Sequence, residues 1–363
     1  MHILHVVGAR PNFMKAAPVL RALNSYPDVR QTLVHTGQHY DASMSEVFFR
    51  ELEMPEPDVN LGVGSGTHGQ QTAAVMTAFE PVVIEHKPEL VLVYGDVNST
   101  LAAALVCAKL AIPVGHVEAG LRSRDRAMPE EINRVLTDRL SDLLFTPSDD
   151  GDRNLLDEGI PRSRIHLVGN VMIDTLVRLL PKAKTHLSNG ANGRFALVTL
   201  HRPSNVDDLV WLRDLLTTLA DLSDQLSVIF PVHPRTRQRL NDLGIDHSRS
   251  TRLHLLEPLP YVEFIGLQRR AAVVITDSGG IQEETTFLGI PCLTVRENTE
   301  RPITISLGTN QLVGRNLQKL RDSAEAILQQ KLSPQEERNP VPLWDGRAAE
   351  RIARIIVRGS ATE

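Results

Sequence analysis

The chain is poor in the features that mark secreted, membrane-spanning or metal-held proteins. Two cysteines occur in 363 residues, Cys107 and Cys292. Each sits inside an apolar run (ALVCAKL and IPCLTV), so both read as isolated buried thiols and a disulfide framework is excluded. Aromatic residues make up only 4%, and no window approaches the ~20 apolar residues of a membrane span. An excess of one charge is missing too: the formal net charge is -5, which argues against nucleic acid or an anionic membrane as partner. The opening MHILHVVGARP has neither the basic segment nor the apolar length of a secretory signal, so a cytoplasmic location is expected. There is no HExxH, CxxC or Asp-rich loop for a metal. A GxSxG elbow is absent as well, and the Ser-Gly-Gly turn at 278–280 is neither GxxxxGK[ST] nor GxGxxG. Neither a metal site nor a cofactor is expected.

What is present is an ordinary globular composition, 42% hydrophobic and 23% charged, in a chain long enough for two cores. Short β-branched runs come first: HILHVVG (2–8), QTLVHTG (31–37), LVLVYGD (90–96), PVGHVEA (113–119), LLFTPS (143–148) and RIHLVGN (164–170). They alternate with helical stretches such as KAAPVLRALNS (15–25) and STLAAALVCAKLA (99–111). Runs that are apolar throughout, each followed by a helix, predict parallel strands covered on both faces. The pattern pauses at KTHLSNGANGR (184–194), whose Asn and Gly mark a linker. It restarts with FALVTLH (195–201), SVIFPVH (227–233), RLHLLEP (252–258), AVVITDS (272–278) and PCLTVRE (291–297). The tail DGRAAERIARIIVRG (345–359) has the period of one amphipathic helix. The expected fold class is α/β, with two Rossmann-like doubly wound parallel-sheet domains, residues 1–185 and 186–363, facing each other across a cleft. The C-terminal helix would be able to pack back on the first domain.

In open parallel sheets ligands sit beyond the carboxyl ends of the strands, so the polar residues after each run are the candidates. The first run leads into GARPNFMK, where Arg10 ends the strand and Lys15 stands in the first turn of the next helix. Two cations beside exposed N–H groups suit a phosphate, with solvated surface charges as the plain alternative. Asp96 in GDVNST either caps the following helix or acts chemically. Glu118 in HVEAGLRS ends another strand, with Gly120 allowing close backbone approach, and MPEEINR adds Glu130 and Glu131 at a helix start. Carboxylates crowded in a cleft drive their pKa values apart and so furnish both a base and an acid. In the second half, TLHRPSN puts His201 and Arg202 where Arg10 stands in the first, and His233 of PVHPR ends the next strand; packed histidines are the plain alternative. The strongest local signal is VVITDSGGIQEET. Ser278, Gly279 and Gly280 follow a strand and open a helix, so backbone can approach a pyrophosphate. Glu284, one turn on, can accept from ribose hydroxyls. With Arg301 of ENTERP this reads as a nucleoside-diphosphate site.

The strings GARPNFMKAAP, GDVNSTLAAAL, GHVEAGLRS, PEEINR, TLHRP, TDSGGIQEE and ENTERP stand in the order and spacing of the non-hydrolysing UDP-N-acetylglucosamine 2-epimerases. The chain resembles that family from about residue 1 to 355. The resemblance implies two Rossmann-like domains in the GT-B arrangement, a homodimer, and interconversion of UDP-GlcNAc and UDP-ManNAc for polysaccharide biosynthesis. It implies catalytic roles for Asp96, Glu118, Glu130 and His201. It places Arg10, Lys15, Phe264, Ser278, Gly279, Gly280, Glu284 and Arg301 at the UDP moiety, and His233 joins them as a substrate-binding candidate. The C2 hydrogen is not next to a carbonyl, so UDP would leave first or concertedly, giving 2-acetamidoglucal, and then add back with a proton on the opposite face. Two departures stand out. Asn12-Phe13 replaces the acidic-aliphatic pair of many members. Gln38-His39 is kept, but Asp41 and GVGSGTH stand where the remaining residues of an allosteric second site would fall, so substrate activation is expected to be weak or absent. The rival readings are a hydrolysing epimerase that releases UDP and free ManNAc, a retaining GT-B glycosyltransferase, and a non-catalytic nucleotide-sugar sensor. Three acidic strand-end residues together favour the epimerase.

Overall fold

A strand that is apolar on both faces must be covered on both, and the computed structural model shows where each face goes. It describes residues 1–37, 49–183, 193–243, 252–329 and 341–359. The first sheet contains β1 (His2–Val7), β2 (Arg30–His35), β3 (Val59–Asn60), β4 (Leu90–Tyr94), β5 (Val114–Val117), β6 (Leu143–Thr146) and β7 (Ile165–Leu167). Its order is β3-β2-β1-β4-β5-β6-β7, parallel throughout. The second contains β8 (Phe195–Thr199), β9 (Ser227–Pro231), β10 (Leu253–Leu256), β11 (Val273–Thr276), β12 (Cys292–Thr294) and β13 (Asn310–Leu312). Its order is β10-β9-β8-β11-β12-β13, also parallel. The edge strands β3 and β13 are two and three residues long, too short for periodicity to reveal.

Alternate residues of one strand enter different cores. Ala196 and Val198 of β8 pack with Val228, Phe230, Val273 and Ile275, while Phe195 and Leu197 pack with Ile229 and Val274 on the opposite face. This two-sided demand is why the strands read as continuous apolar runs. Phe230 is fully buried, and truncating such a side chain to Ala costs about 3–5 kcal/mol. Cys107 and Cys292 are buried free thiols, pushed up to about 12 and about 11 by burial. Among the described residues no helix is long and apolar enough to cross a membrane.

The chain forms two compact units, Met1–Arg178 with Pro342–Glu363, and Leu179–Val341. Most of the segment read as a linker, residues 184–192, lies outside the described residues, and with it the expected boundary at 185/186. The C-terminal segment is fastened to the first unit by Trp344, whose Nε1 donates to the Pro147 carbonyl at 2.9 Å. Asp174 caps the helix Ala348–Gly359 from outside, accepting from Ala348 N at 3.1 Å and Ala349 N at 2.7 Å. Burial pushes the Asp174 carboxyl up to about 6 against the pull of those two amides.

Both sheets reverse direction of growth at one point. In the first this lies between β1 and β4, in the second between β8 and β11. Crevices at such switch points are where doubly wound folds bind ligands.

Candidate active site

In the first unit, β4 ends at Tyr94 and turns through Gly95, φ +64°, to Asp96. Its neighbour β5 ends at Val117, and Glu118 follows with φ +75°. A left-handed non-glycine residue costs about 1–3 kcal/mol, which the surroundings must hold in place. The Glu118 side chain is buried and ion-paired with Lys15 of the helix Arg10–Leu23. A Cβ at position 95 would stand 2.5 Å from Lys15 Nζ and 3.2 Å from Glu118 Oε2, so glycine there leaves room for the pair. Asp96 is ion-paired with Arg134, and Asn133 Nδ2 donates to the Asp96 carbonyl at 2.9 Å. Both partners belong to the helix Pro129–Leu140. Asn12 joins the two switch-point strands: its Oδ1 accepts from Gly8 N (3.0 Å) and Ala9 N (3.1 Å), and its Nδ2 donates to the Tyr94 carbonyl at 2.7 Å.

The adjacent glutamates of that helix differ. Glu131 is buried and accepts from Ser123 N (2.9 Å), Ser123 Oγ (3.0 Å), Arg124 N (2.8 Å) and Arg134 Nη2 (2.8 Å). Burial opposes its charge, yet these donors hold its carboxyl below the usual range. It is consumed in fastening a loop. Glu130 is half-buried and has no partner among the described residues.

Behind these loops runs a buried polar chain. His116 of β5 bonds the Gly95 carbonyl through Nε2 at 2.8 Å and Asp138 Oδ1 through Nδ1 at 2.6 Å. Asp138 Oδ2 accepts from Gly120 N (3.1 Å) and from Arg122 Nη1 (2.7 Å). Burial opposes the Asp138 charge, and His116 and Arg122 hold its carboxyl below the usual range.

In the second unit, β8 leads to His201 and β11 to Asp277. Asp277 is buried and accepts from Arg202 N (3.0 Å), Asn205 Nδ2 (3.1 Å) and His201 N (3.1 Å to Oδ2), and its Oδ1 stands 3.1 Å from His201 Nδ1. Burial opposes its charge; His201 and the other donors hold it below the usual range. The carboxylate draws the Nδ1 proton, leaving Nε2 on a side chain that is 43% exposed. The His233 ring lies 5.7 Å away, centroid to centroid.

Ser278 precedes the helix Gly279–Leu288 without capping it through its side chain, which leaves first-turn N–H groups to an anion. A Cβ on Gly279 would fall 2.3 Å from Arg301 Nη1 and 2.7 Å from Glu300 Oε1. Glu300 is ion-paired with Arg301, with Arg296 Nη2 at 2.7 Å and with Arg202 Nη2 at 3.8 Å. Burial opposes the Glu300 charge, but the guanidiniums hold it well below the usual range. Arg301 Nε also stands 2.8 Å from Glu283 Oε1. Arg202, Arg296 and Arg301 thus gather beside a helix N-terminus, and guanidiniums together with free first-turn N–H groups suit an anion. Glu284 is buried, and its Oε1 accepts the Tyr261 hydroxyl at 2.6 Å. Phe264, half-buried on the helix Tyr261–Gln268, packs against the cluster of Phe195 and Leu197.

The family model described as UDP-N-acetylglucosamine 2-epimerase matches residues 21–357. The chain belongs to the UDP-N-acetylglucosamine 2-epimerase family. The UDP-N-acetylglucosamine 2-epimerase of Methanocaldococcus jannaschii is 41% identical over 370 residues, covering 99% of this chain and 100% of that one. A crystal structure of the M. jannaschii UDP-GlcNAc 2-epimerase in complex with UDP-GlcNAc and UDP has a TM-score of 0.90 over 99% of this chain and 100% of that one, at 41% identity. The UDP-2,3-diacetamido-2,3-dideoxy-D-glucuronate 2-epimerase of Pseudomonas aeruginosa is 40% identical over 361 residues, covering 99% of this chain and 100% of that one.

Set on this epimerase-family framework, the expected residues fall into two groups. Asp96, Glu118, Glu130 and Lys15 lie in the first unit, gathered around the ends of β4 and β5 and the helix Pro129–Leu140. His201, His233, Phe264, Ser278, Gly279, Gly280, Glu284 and Arg301 lie in the second. The expected strand end at Arg10 and first-turn place of Lys15 are both corrected. β1 stops at Val7 and Arg10 opens the helix, with a proline in its first two positions, where a fixed φ starts a helix early. Arg10 is exposed, whereas Lys15 is a turn further in, buried against Glu118. Nor does Asp96 cap a helix: Val97 holds the N-cap position. Gln38, His39 and Asp41 lie outside the described residues. Sequence reasoning passed over His116, Asp138, Arg134, Asp277, Arg296 and Glu300. All but Asp138 carried a signal as polar residues within the motifs, as with Asp277 before the Ser-Gly-Gly and His116 within an apolar strand; Asp138, inside a helix, carried none.

Proposed function

We propose that the chain interconverts UDP-GlcNAc and UDP-ManNAc without hydrolysis, through elimination of UDP to 2-acetamidoglucal and re-addition. The observation that carries this reading is that Asp96 and Glu118 follow the carboxyl ends of the adjacent parallel strands β4 and β5. Breaking the anomeric C1–O bond develops positive charge at C1 and acidifies C2–H. One carboxylate then takes the C2 proton and another, Glu130 among them, delivers a proton to the opposite face. Departure of UDP builds charge on the diphosphate, and preorganised donors aimed at such charge are usually the largest catalytic effect. Those donors are His201, held by Asp277, together with Arg301 and the Ser278–Gly280 amides, with His233 beside them. Arg10 and Phe264 complete the contacts proposed for UDP and Glu284 that for its ribose, while Lys15 serves Glu118.

Incubation with UDP-GlcNAc in D₂O, followed by NMR, tests this. Deuterium should appear at C2 of both UDP sugars with the C1–O–P linkage intact. Asp96→Asn and Glu118→Gln should each lose ~10²–10⁴-fold of that exchange while UDP still binds. Full rate in both variants would overturn the assignment, and free ManNAc as product would select the hydrolysing alternative. The P. aeruginosa relative is named for a 2,3-diacetamido uronate, which shares the C2 acetamido group, so that UDP sugar is the second substrate to assay in parallel. The reading is completed by a cytoplasmic homodimer. Ile132, Val135 and Leu136 form an exposed apolar stripe on the helix Pro129–Leu140 that a second copy would cover; light scattering returning a single-chain mass would refute the dimer. Initial rates should rise hyperbolically with UDP-GlcNAc, and a sigmoidal curve would count against the absence of substrate activation.

A further inference from the structure

We propose that His116 is a positioning residue, held as an imidazolium between Asp138 and the Gly95 carbonyl, that locks together the two loops bearing Asp96 and Glu118. This rests on the epimerase reading of those two carboxylates and concerns what keeps them in place. His116 is fully buried in a strand whose other members are apolar or glycine. Its Nε2 faces a carbonyl oxygen at 2.8 Å, and a carbonyl can only accept, so Nε2 carries a proton. Its Nδ1 faces Asp138 Oδ1 at 2.6 Å, and the other Asp138 oxygen already accepts from Gly120 N and Arg122. That carboxylate is also an acceptor, so Nδ1 carries a proton too. A ring with two bonded protons is a cation.

The charge is balanced along a row that runs from buried His116 to exposed Glu158. His116 meets Asp138, Asp138 meets Arg122, and Arg122 grips Glu158 in a two-point bond, Nε and Nη2 each at 2.7 Å. One end of the row holds the carbonyl of Gly95, φ +64°, directly before Asp96. Asp138, the next member, holds the N–H of Gly120, φ +82°, two residues after Glu118 with its φ of +75°. These backbones are left-handed, and Glu118 carries a Cβ, so its conformation persists only where the surroundings over-determine it. Gly95 N also bonds the Val117 carbonyl at 3.0 Å, tying the two turns directly. Loss of the imidazolium frees the Gly95 carbonyl and leaves Asp138 short of a donor, and both carboxylate loops relax together.

Two substitutions separate the two bonds. His116→Gln places an amide near Nε2 and can serve the Gly95 carbonyl but not Asp138; His116→Asn serves Asp138 but not Gly95. Each should lower kcat for C2 exchange about 100-fold, as expected when reacting groups are displaced by about 1 Å. KM for UDP-GlcNAc should stay within about threefold, because the lost interaction is one of geometry in the reaction rather than of ground-state binding. Calorimetric affinity for UDP and a thermal melt report whether each variant is folded. Independently, the imidazole ¹⁵N spectrum of the unsubstituted chain should show the His116 ring with both nitrogens protonated. A neutral ring at His116, or an unchanged kcat in folded Gln and Asn variants, would overturn the proposal. C2 deuterium uptake by the unsubstituted chain tests the epimerase reading separately: if it fails, that reading falls, while the ring's protonation still decides the clamp.

Discussion

Gly95→Ala is the substitution that bears most directly on the Lys15–Glu118 pair. The added Cβ would sit 2.5 Å from Lys15 Nζ and 3.2 Å from Glu118 Oε2 on a backbone with φ +64°. A left-handed alanine costs about 1–2 kcal/mol by itself. The methyl also pushes Lys15 off Glu118, and complete rupture of a buried ion pair costs about 3–5 kcal/mol. Partial loosening brings the sum to about 2–4 kcal/mol, or roughly 5–12 °C in melting temperature for a unit of this size. Because Glu118 moves with its partner, kcat should fall about 100-fold. Gly159→Ala is the matched control. Its φ is +76°, but nothing lies within 4 Å of the new Cβ, so only the backbone cost of about 1–2 kcal/mol applies. Calorimetry on both variants, with C2 deuterium uptake measured well below their melting temperatures, separates strain from displacement. A Gly95→Ala chain with unchanged kcat, destabilised no more than Gly159→Ala, would refute the view that the glycine exists to seat the Lys15–Glu118 pair.

Two further outcomes follow from the same structure. Asp277→Asn removes the carboxylate that draws the His201 Nδ1 proton, and an amide there permits the wrong tautomer. We expect a kcat loss of ~10²–10⁴-fold with the fold intact, and wild-type turnover would show that His201 needs no orienting anion. Asp174 has its carboxyl raised to about 6 from an ordinary 3.8. The folded state therefore holds the proton more tightly, and this group's contribution is full below about pH 4 and is lost as pH rises through about 6, by up to ~3 kcal/mol. Asp174→Asn keeps an acceptor for the helix Ala348–Gly359 without the buried charge. Its melting temperature relative to wild type should rise between pH 4 and 7; a flat difference across that range would contradict the raised value.

Much of the architecture is legible along the chain because its causes are local. A strand buried on both faces has to be apolar at successive positions, so β1, β4, β8 and β11 announce themselves as runs such as LVLVY and VVIT. The strands with little core to cover, β3 and β13, carry no such mark. Strand-end chemistry is legible for a related reason, since loops beyond the carboxyl ends are the stretches whose polarity the core does not dictate. On that ground Asp96, Glu118, His201 and the Ser278–Gly280 turn are candidates from the sequence alone.

Partnership is another matter. Lys15 and Glu118 are 103 positions apart, and His201 and Asp277 are 76 apart; what joins them is the order of strands in a sheet, which no window of sequence contains. Composition could mark Lys15 as a cation near a helix start, but only the packed sheet turns it toward a carboxylate. In the same way, the string PEEINR offers two equivalent acids. The helix rotation decides that Glu131 faces the Ser123 loop and is spent there, while Glu130 has no partner among the described residues. The sequence by itself determined which residues could carry charge at the sheet edges, because those preferences are set one residue at a time. Which charge meets which was decided by tertiary structure alone, because contact between distant segments is a property of the assembled sheet.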